Sequence, residues 1–174
     1  MENIVLLLCA LLIVAGATYG LLKISERYPA VYASFKYKTG VGGLLLLFLA
    51  GEVTILFRMF WQCAFFLVKL NSMHAPISDK MIILFFPIAT VLLTVTILYQ
   101  ITVKRCPSAV AFSIVSLWVS GPVFMQLQGW FYSMPVPANV LLQVLGWTFV
   151  WTVYLVVSPR AALTYGTKRA KHYL

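Results

Sequence analysis

Acidic side chains are almost missing from this chain of 174 residues, which has four of them: Glu2, Glu26, Glu52 and Asp79. There are also few histidines and cysteines, two and three respectively, and none of them has the spacing of a metal-ligand motif. No zinc-protease, serine-elbow or phosphate-loop motif occurs. We therefore expect a non-enzymatic protein without a metal and without catalytic residues.

Charge of either sign is too scarce for a water-soluble domain. Charged residues make up 10% of the chain and hydrophobic residues 62%, whereas soluble domains average about 25% charged residues. The net charge of +9 does not indicate nucleic acid, because the basic residues lie between apolar runs, where they orient membrane helices. The composition predicts an integral membrane protein with no nucleic-acid partner.

Five apolar runs are long enough to cross a bilayer, which takes about 20 residues in a helix. They cover residues 4–22, 42–70, 81–103, 108–132 and 136–157. None shows the alternation of a barrel strand, and a spanning segment must satisfy its own backbone hydrogen bonds. The predicted fold is an all-α integral membrane protein with five transmembrane helices, a four-helix bundle plus an N-terminal anchor helix.

Lysine and arginine are distributed unevenly between the two sides of this predicted bundle. Ten of the thirteen lie in the first loop, in the third loop or after the fifth span. The positive-inside rule places that side in the cytoplasm and the amino terminus outside. We divide the chain into an anchor helix with a basic loop (1–36), a four-helix transmembrane domain (37–158) and a basic cytoplasmic tail (159–174). The basic segments are expected to contact anionic lipid headgroups.

Two opposite charges, Glu52 and Arg58, lie inside the second span. A charge at this depth costs about 2.5–3.5 kcal/mol on insertion scales. The two residues differ by about 9 Å of rise and about 120° of rotation, so they do not form a simple pair along one helix face. Glu52 is expected either to be protonated, because desolvation disfavours the charged carboxylate, or to meet polar groups of the third span (Thr94, Thr96, Tyr99 or Gln100) or of the fourth (Ser113 and Ser116). Counted by depth, the candidates for one intramembrane polar cluster are Glu52, Arg58, Gln62, Gln126, Gln128 and Gln143.

This cluster has two interpretations. In the first, the cluster joins helices and fixes their packing. In the second, it is a proton, ion or ligand site, which is the usual first hypothesis for charged residues inside a membrane. A separate feature, Gly16 and Gly20 in the first span, has the GxxxG spacing that lets helices approach closely. We predict that this face packs on the protein's own bundle or on a partner.

Three stretches of the sequence, KTGVGGLLLLFLAG, LYQITVKRCPSAVAF and WTVYLVVSPRAALTY, resemble a known family. They are similar to the opening, the central turn and the closing signature of the bacterial inner-membrane family called domain of unknown function 2569. The residues that match the closing signature are Trp151, Tyr154, Ser158, Arg160, Thr164 and Tyr165. The resemblance covers residues 37–166 and implies a four-helix fold in the bacterial inner membrane, with no assigned activity. The departures are Leu44, Val153 and Pro159.

Three functional hypotheses follow. The first is a subunit or accessory factor of a membrane complex, or a homo-oligomer. The second is a small channel, proton path or carrier that uses Glu52 and Arg58. The third is a subunit of a membrane enzyme that binds a lipid or a quinone; no other cofactor is expected.

Overall fold

The computed structural model describes residues 2–32, 39–72, 76–133 and 135–173. Their long helices are α1 (Glu2–Glu26), α2 (Leu44–Ser72), α3 (Ile77–Tyr99), α4 (Pro107–Trp118), α5 (Phe124–Phe131) and α6 (Ala138–Val157). A π-helical turn, Gln100–Lys104, extends α3, and another, Val119–Val123, joins α4 to α5. After α6 come a short helix, α7 (Pro159–Tyr165), and a 3₁₀ turn, Lys168–His172.

Five helical segments are long and apolar enough to span a membrane. Two of them are composite, because α3 runs on through its π turn and α4 continues through the second π turn into α5. Within the described ranges there is no strand. The all-α prediction and the prediction of five spans are confirmed, and this is a multi-pass membrane fold.

Local sequence explains where the spans end. Arg105 adopts a left-handed conformation (φ 41°) directly after the first π turn and so ends the third span. Pro107 then occupies the first turn of α4, where its missing N–H is no loss. Pro122 lies in the second π turn, which accommodates its missing donor by widening the helix.

The hydrophobic core is concentrated at the end of the bundle that carries Lys23, Arg27, Lys104 and Arg105, here called the basic end. Three of the largest fully buried side chains there are Phe48 of α2, Ile101 of the π turn and Leu155 of α6. α2 packs chiefly against α3, and α4 packs against both α3 and α6. The five spans are thus drawn together at the basic end.

The short helix α7 lies in the segment predicted as a basic cytoplasmic tail (159–174), and it packs against the bundle. Its residues Ala161, Leu163 and Tyr165 are completely buried. α7 folds back under the bundle and contacts α4 and α6. The small and apolar residues of α7 explain why it packs against the bundle. If α7 were a basic segment on the membrane surface, these side chains would instead lie at the lipid boundary.

The glycines of α1 do not pack against the described part of the bundle. A methyl group at Gly16 or Gly20 would meet no atom of the described residues within 4 Å, and both residues are exposed. α1 contacts α2 through another face, which includes Val14 and Leu22. The intramolecular half of the GxxxG prediction is therefore wrong, and the half that concerns a partner stays a prediction.

Candidate site: a polar cavity inside the bundle

One face of α2 carries two of the six residues of the predicted cluster, Glu52 and Gln62. Glu52, Ile55, Met59 and Gln62 follow one another at intervals of three or four residues, so their side chains lie along one stripe. All four line a cavity of about 450 Å³ that is also bounded by α3, α6 and the joined helices α4 and α5. Its volume lies within the range of small-molecule sites, about 300–1,000 Å³.

The cavity brings together five of the six predicted cluster residues. Besides Glu52 and Gln62, its lining includes Arg58, Gln128 of α5 and Gln143 of α6. The sixth, Gln126, is exposed and does not line it. The reason is helical geometry: residues two apart on a helix point about 200° apart, so only one of Gln126 and Gln128 can face the cavity. Gln126 is removed from the cluster.

Glu52 lies at the most buried part of this site. Its side chain is 2% exposed, and its Oε1 atom has no hydrogen-bond partner among the residues that the structure describes. An unpartnered buried polar group costs about 1–3 kcal/mol, and more when it is charged. Of the five unpartnered buried atoms among the described residues, Glu52 Oε1 is the one whose residue lines the cavity, so a ligand there could offset this cost.

The partners that we expected for Glu52 on neighbouring spans do not bond to it. Ser113 donates to the carbonyl of Ala109 at 2.8 Å, and Thr96 donates to that of Leu92, also at 2.8 Å. Hydroxyl groups in membrane helices commonly satisfy themselves in this way, one turn back along their own helix. The expectation of interhelical hydrogen bonds to Glu52 is wrong for the described residues.

Arg58 stands at the edge of the same stripe. Its side chain is exposed and lines the cavity on one side; on the other it borders a second cavity, of about 350 Å³, between α1 and α2. Within the described part of the chain, the ion pair found joins Lys23 to Glu26, and Arg58 has neither an ion pair nor a hydrogen bond. Two side chains that carry opposite charges therefore face one cavity, each without a partner among the described residues.

Exposure increases along the cavity from the basic end outward. Leu117 and Thr148, like Glu52, are buried. Gln62 and Gln128 are half-buried, and Gln143 is exposed. Packed aromatic rings lie beyond the buried end of the cavity: the centroids of the buried Phe48 and Trp151 rings are 5.0 Å apart, and Trp147, which lines the cavity, lies 5.3 Å from Trp151. The site is thus a pocket with a closed floor toward the basic end.

Sequence reasoning missed several lining residues, among them Thr90, Ser120, Gly121, Trp147 and Thr148. Gly121 lies in the π turn, and a methyl group there would be 3.2 Å from Val144 and 3.3 Å from the hydroxyl of Thr148. The Gly-Pro pair at 121–122 was the signal for this close approach. The serine and threonine residues that line the cavity gave no such signal in the sequence, because these residues are common on all faces of membrane helices.

The residues of the family-like signature are placed together at the basic end, away from the cavity mouth. Ser158 caps α7 by accepting a hydrogen bond from the Ala161 N–H at 3.4 Å. The Thr164 hydroxyl accepts one from the Gly40 N–H at 2.9 Å. The Tyr165 hydroxyl donates to the Ile101 carbonyl in the π turn at 2.9 Å, and burial raises the pKa of that hydroxyl.

The remaining signature residues also fill packing positions. The Trp151 ring lies 5.0 Å from Phe48 and 5.7 Å from Tyr154, at 89° to the latter. Arg160 lies beside the glycine pair that opens α2: a methyl group at Gly43 would be 2.6 Å from the Arg160 Nη1 atom. Gly43 also has φ 56°, which favours glycine. The signature therefore has a structural explanation.

Arg105 completes the basic end. Its Nη2 atom donates to the Ser25 carbonyl at 2.8 Å, which ties the carboxyl end of α1 to the turn between α3 and α4. A cation at the end of a helix is stabilised by the helix dipole. Burial lowers the pKa of this guanidinium, and the nearby Tyr165 opposes that shift.

Fold and site together define a multi-pass α-helical membrane protein with a polar cavity between its spans. A comparison of the chain with known protein families, with curated proteins and with solved structures finds no match. The resemblance to the domain of unknown function 2569 family therefore stays a prediction, and the cavity is the basis for an argument about function.

Proposed function

We propose that this chain is a non-enzymatic membrane carrier that binds a small polar solute in the cavity around Glu52. The observation that carries the proposal is the Glu52 carboxyl group, which is 2% exposed and has an unpartnered oxygen in a cavity of about 450 Å³. Polar and ionisable residues in a membrane interior are expensive, and they mark substrate and ion pathways.

The shape of the cavity supports a carrier more than an open channel. A channel needs a continuous path, whereas the Phe48, Trp147 and Trp151 rings close this cavity toward the basic end. The π turn at Val119–Val123 forms one wall. Such turns are frequent at functional sites, where they let a helix bend. Opening the floor by a bend there would give the solute access to the second side.

Water access to the middle of the bundle tests this proposal. Met59 lines the cavity, and its neighbour Phe60 is 56% exposed on the lipid side of α2 at almost the same depth. In a background with Cys9, Cys63 and Cys106 changed to alanine, Met59→Cys and Phe60→Cys are treated in membrane vesicles with a permanently charged methanethiosulfonate. We expect rapid modification at position 59 and almost none at position 60.

Equal and slow reaction at the two positions would remove the proposal, because a charged reagent reaches only a hydrated cavity. Glu52→Gln in the same background serves as a second variant. It should keep the labelling of Met59→Cys, since the cavity persists, while it weakens solute binding.

We place the carrier in a bacterial inner membrane with the basic end in the cytoplasm, supported by the uneven distribution of lysine and arginine. The cavity would then open outward. Proteolysis or labelling of a tag at each terminus in spheroplasts tests this orientation, and a carboxyl-terminal tag accessible from outside would contradict it. An accessory role in a larger complex stays a prediction, which copurification from native membranes can test.

A further inference from the structure

We propose that the solute is a zwitterion whose cationic group pairs with Glu52 and whose anionic group pairs with Arg58. This inference rests on the proposed function, since it concerns the ligand of the same cavity. It starts from the fact that both charges line one cavity and that neither has an ion-pair partner among the described residues.

Electrostatics excludes the simpler ligand classes. A cation alone would leave Arg58 unpaired and would be repelled by it, while an anion alone would do the same with Glu52. A neutral solute would displace water from both charges and pair with neither, and desolvating an unpaired charge is strongly unfavourable. A solute with one charge of each sign satisfies the two side chains at once.

The arrangement also sets a length and an orientation. The two residues are six apart on one helix, which is about 9 Å of axial rise and about 120° of rotation, and their Cα atoms are therefore about 10 Å apart. The cationic end lies deep, beside Glu52, where Trp147 also lines the wall and an aromatic face favours a cation. The anionic end points toward Arg58 and the glutamines. A chain of three extended residues spans about 10 Å, which matches this spacing.

The test uses triglycine and three analogues of the same length: triglycinamide, which carries only the positive charge, N-acetyl-triglycine, which carries only the negative charge, and N-acetyl-triglycinamide, which carries neither. Each is added to the full chain with Met59→Cys in its cysteine-free background, and protection from the charged thiol reagent is measured. We expect triglycine to protect at concentrations at least tenfold lower than any analogue.

Two variants assign the ends. Arg58→Gln should bring triglycine and triglycinamide to the same protecting concentration, because the carboxylate has lost its partner. Glu52→Gln should do the same for triglycine and N-acetyl-triglycine. Glu52→Gln keeps the size of the side chain, whereas Arg58→Gln shortens it and keeps a polar amide, and the melting temperature of each variant shows whether it folds.

The outcomes separate this inference from the carrier proposal. If triglycine and triglycinamide protect equally in the unchanged protein, the anionic contact is absent and the zwitterion inference is overturned, while a carrier for cations remains. Lack of protection by all four compounds also overturns it for solutes of this length. Failure of the labelling at position 59 itself would instead overturn the proposed function.

Discussion

The two halves of this bundle differ in what lies beside their polar side chains. At the basic end, Thr164, Tyr165 and Arg105 each bond to a backbone group of a distant segment. Four buried atoms at that end have no partner among the described residues and no cavity beside them: Gln100 Oε1, Arg105 Nε and Nη1, and Trp151 Nε1. In the cavity half, Glu52 and Arg58 also have no partner among the described residues, but both line a cavity. The space beside Glu52, which a ligand can fill, is what distinguishes it from the unpartnered atoms of the basic end.

The largest change in the free energy of unfolding is expected for a substitution at the basic end. Tyr165 is completely buried and joins α7 to the π turn after α3. Tyr165→Ala should lower the free energy of unfolding in mixed micelles by about 3–5 kcal/mol, because it removes a buried aromatic ring and leaves the Ile101 carbonyl without its donor. Tyr28→Ala, at an exposed tyrosine of the same end, is the control and should change little. Similar losses in both variants would contradict the contrast.

In the cavity, a substitution is expected to raise the free energy of unfolding rather than lower it. Glu52→Met removes an unpartnered carboxyl group and keeps the volume of the side chain. The free energy of unfolding should rise by about 1–3 kcal/mol, since no partner is left unsatisfied. Thr164→Val at the basic end is the comparison and should lower it, because the Gly40 N–H loses its acceptor. A Glu52→Met variant that unfolds more easily would show that the carboxyl group stabilises the fold.

The boundary between the two halves can be tested through glycine. A methyl group at Gly51 would be 2.9 Å from the Trp147 ring, whereas at Gly146 it would meet nothing within 4 Å. Gly51→Ala should cost about 1–3 kcal/mol by displacing the ring and should change the tryptophan fluorescence. Gly146→Ala should be neutral or stabilise by up to about 1 kcal/mol, through helix propensity. Equal effects would mean that Trp147 does not form the floor.

The smallest effect concerns reactivity rather than stability. The Cys106 thiol lies 3.0 Å from the Ser108 hydroxyl, and this hydrogen bond lowers the thiol pKa. Ser108→Ala should shift the pH midpoint of Cys106 alkylation upward, since the thiolate loses its donor, while stability changes by less than about 0.5 kcal/mol. The measurement uses protein with Cys9 and Cys63 changed to alanine. An unchanged midpoint would show that Ser108 does not stabilise the thiolate.

The sequence predicts the spans well because lipid imposes length and hydropathy on each of them separately. Five of the six cluster residues could also be placed by depth, since depth follows from position along a helix. Direction around the helix is harder to predict. Gln126 was included by its depth alone and does not line the cavity, and Gly16 and Gly20 face away from the described bundle. A helix that is apolar on all sides gives no signal of its rotation.

The features that the sequence does not predict depend on tertiary contacts. The burial of α7 depends on residues 31–32, whose N–H groups donate to the carbonyls of Thr164 and Leu163, both at 3.1 Å. Nothing in the local sequence of either segment indicates the other. The sequence also cannot show whether the Ser113 and Thr96 hydroxyls bond to Glu52. In the structure each donates to a carbonyl of its own helix, and this depends on the side-chain rotamer.

The bond between Gly40 and Thr164 has a consequence for biosynthesis, because 124 positions separate the two residues along the chain. Membrane helices enter the bilayer in the order in which they are translated, and folding follows synthesis. The Gly40 N–H must therefore wait without its acceptor until Thr164 has left the ribosome. In ribosome-bound chains stopped before α7, proteases should cleave near Gly40 more readily than in the finished protein.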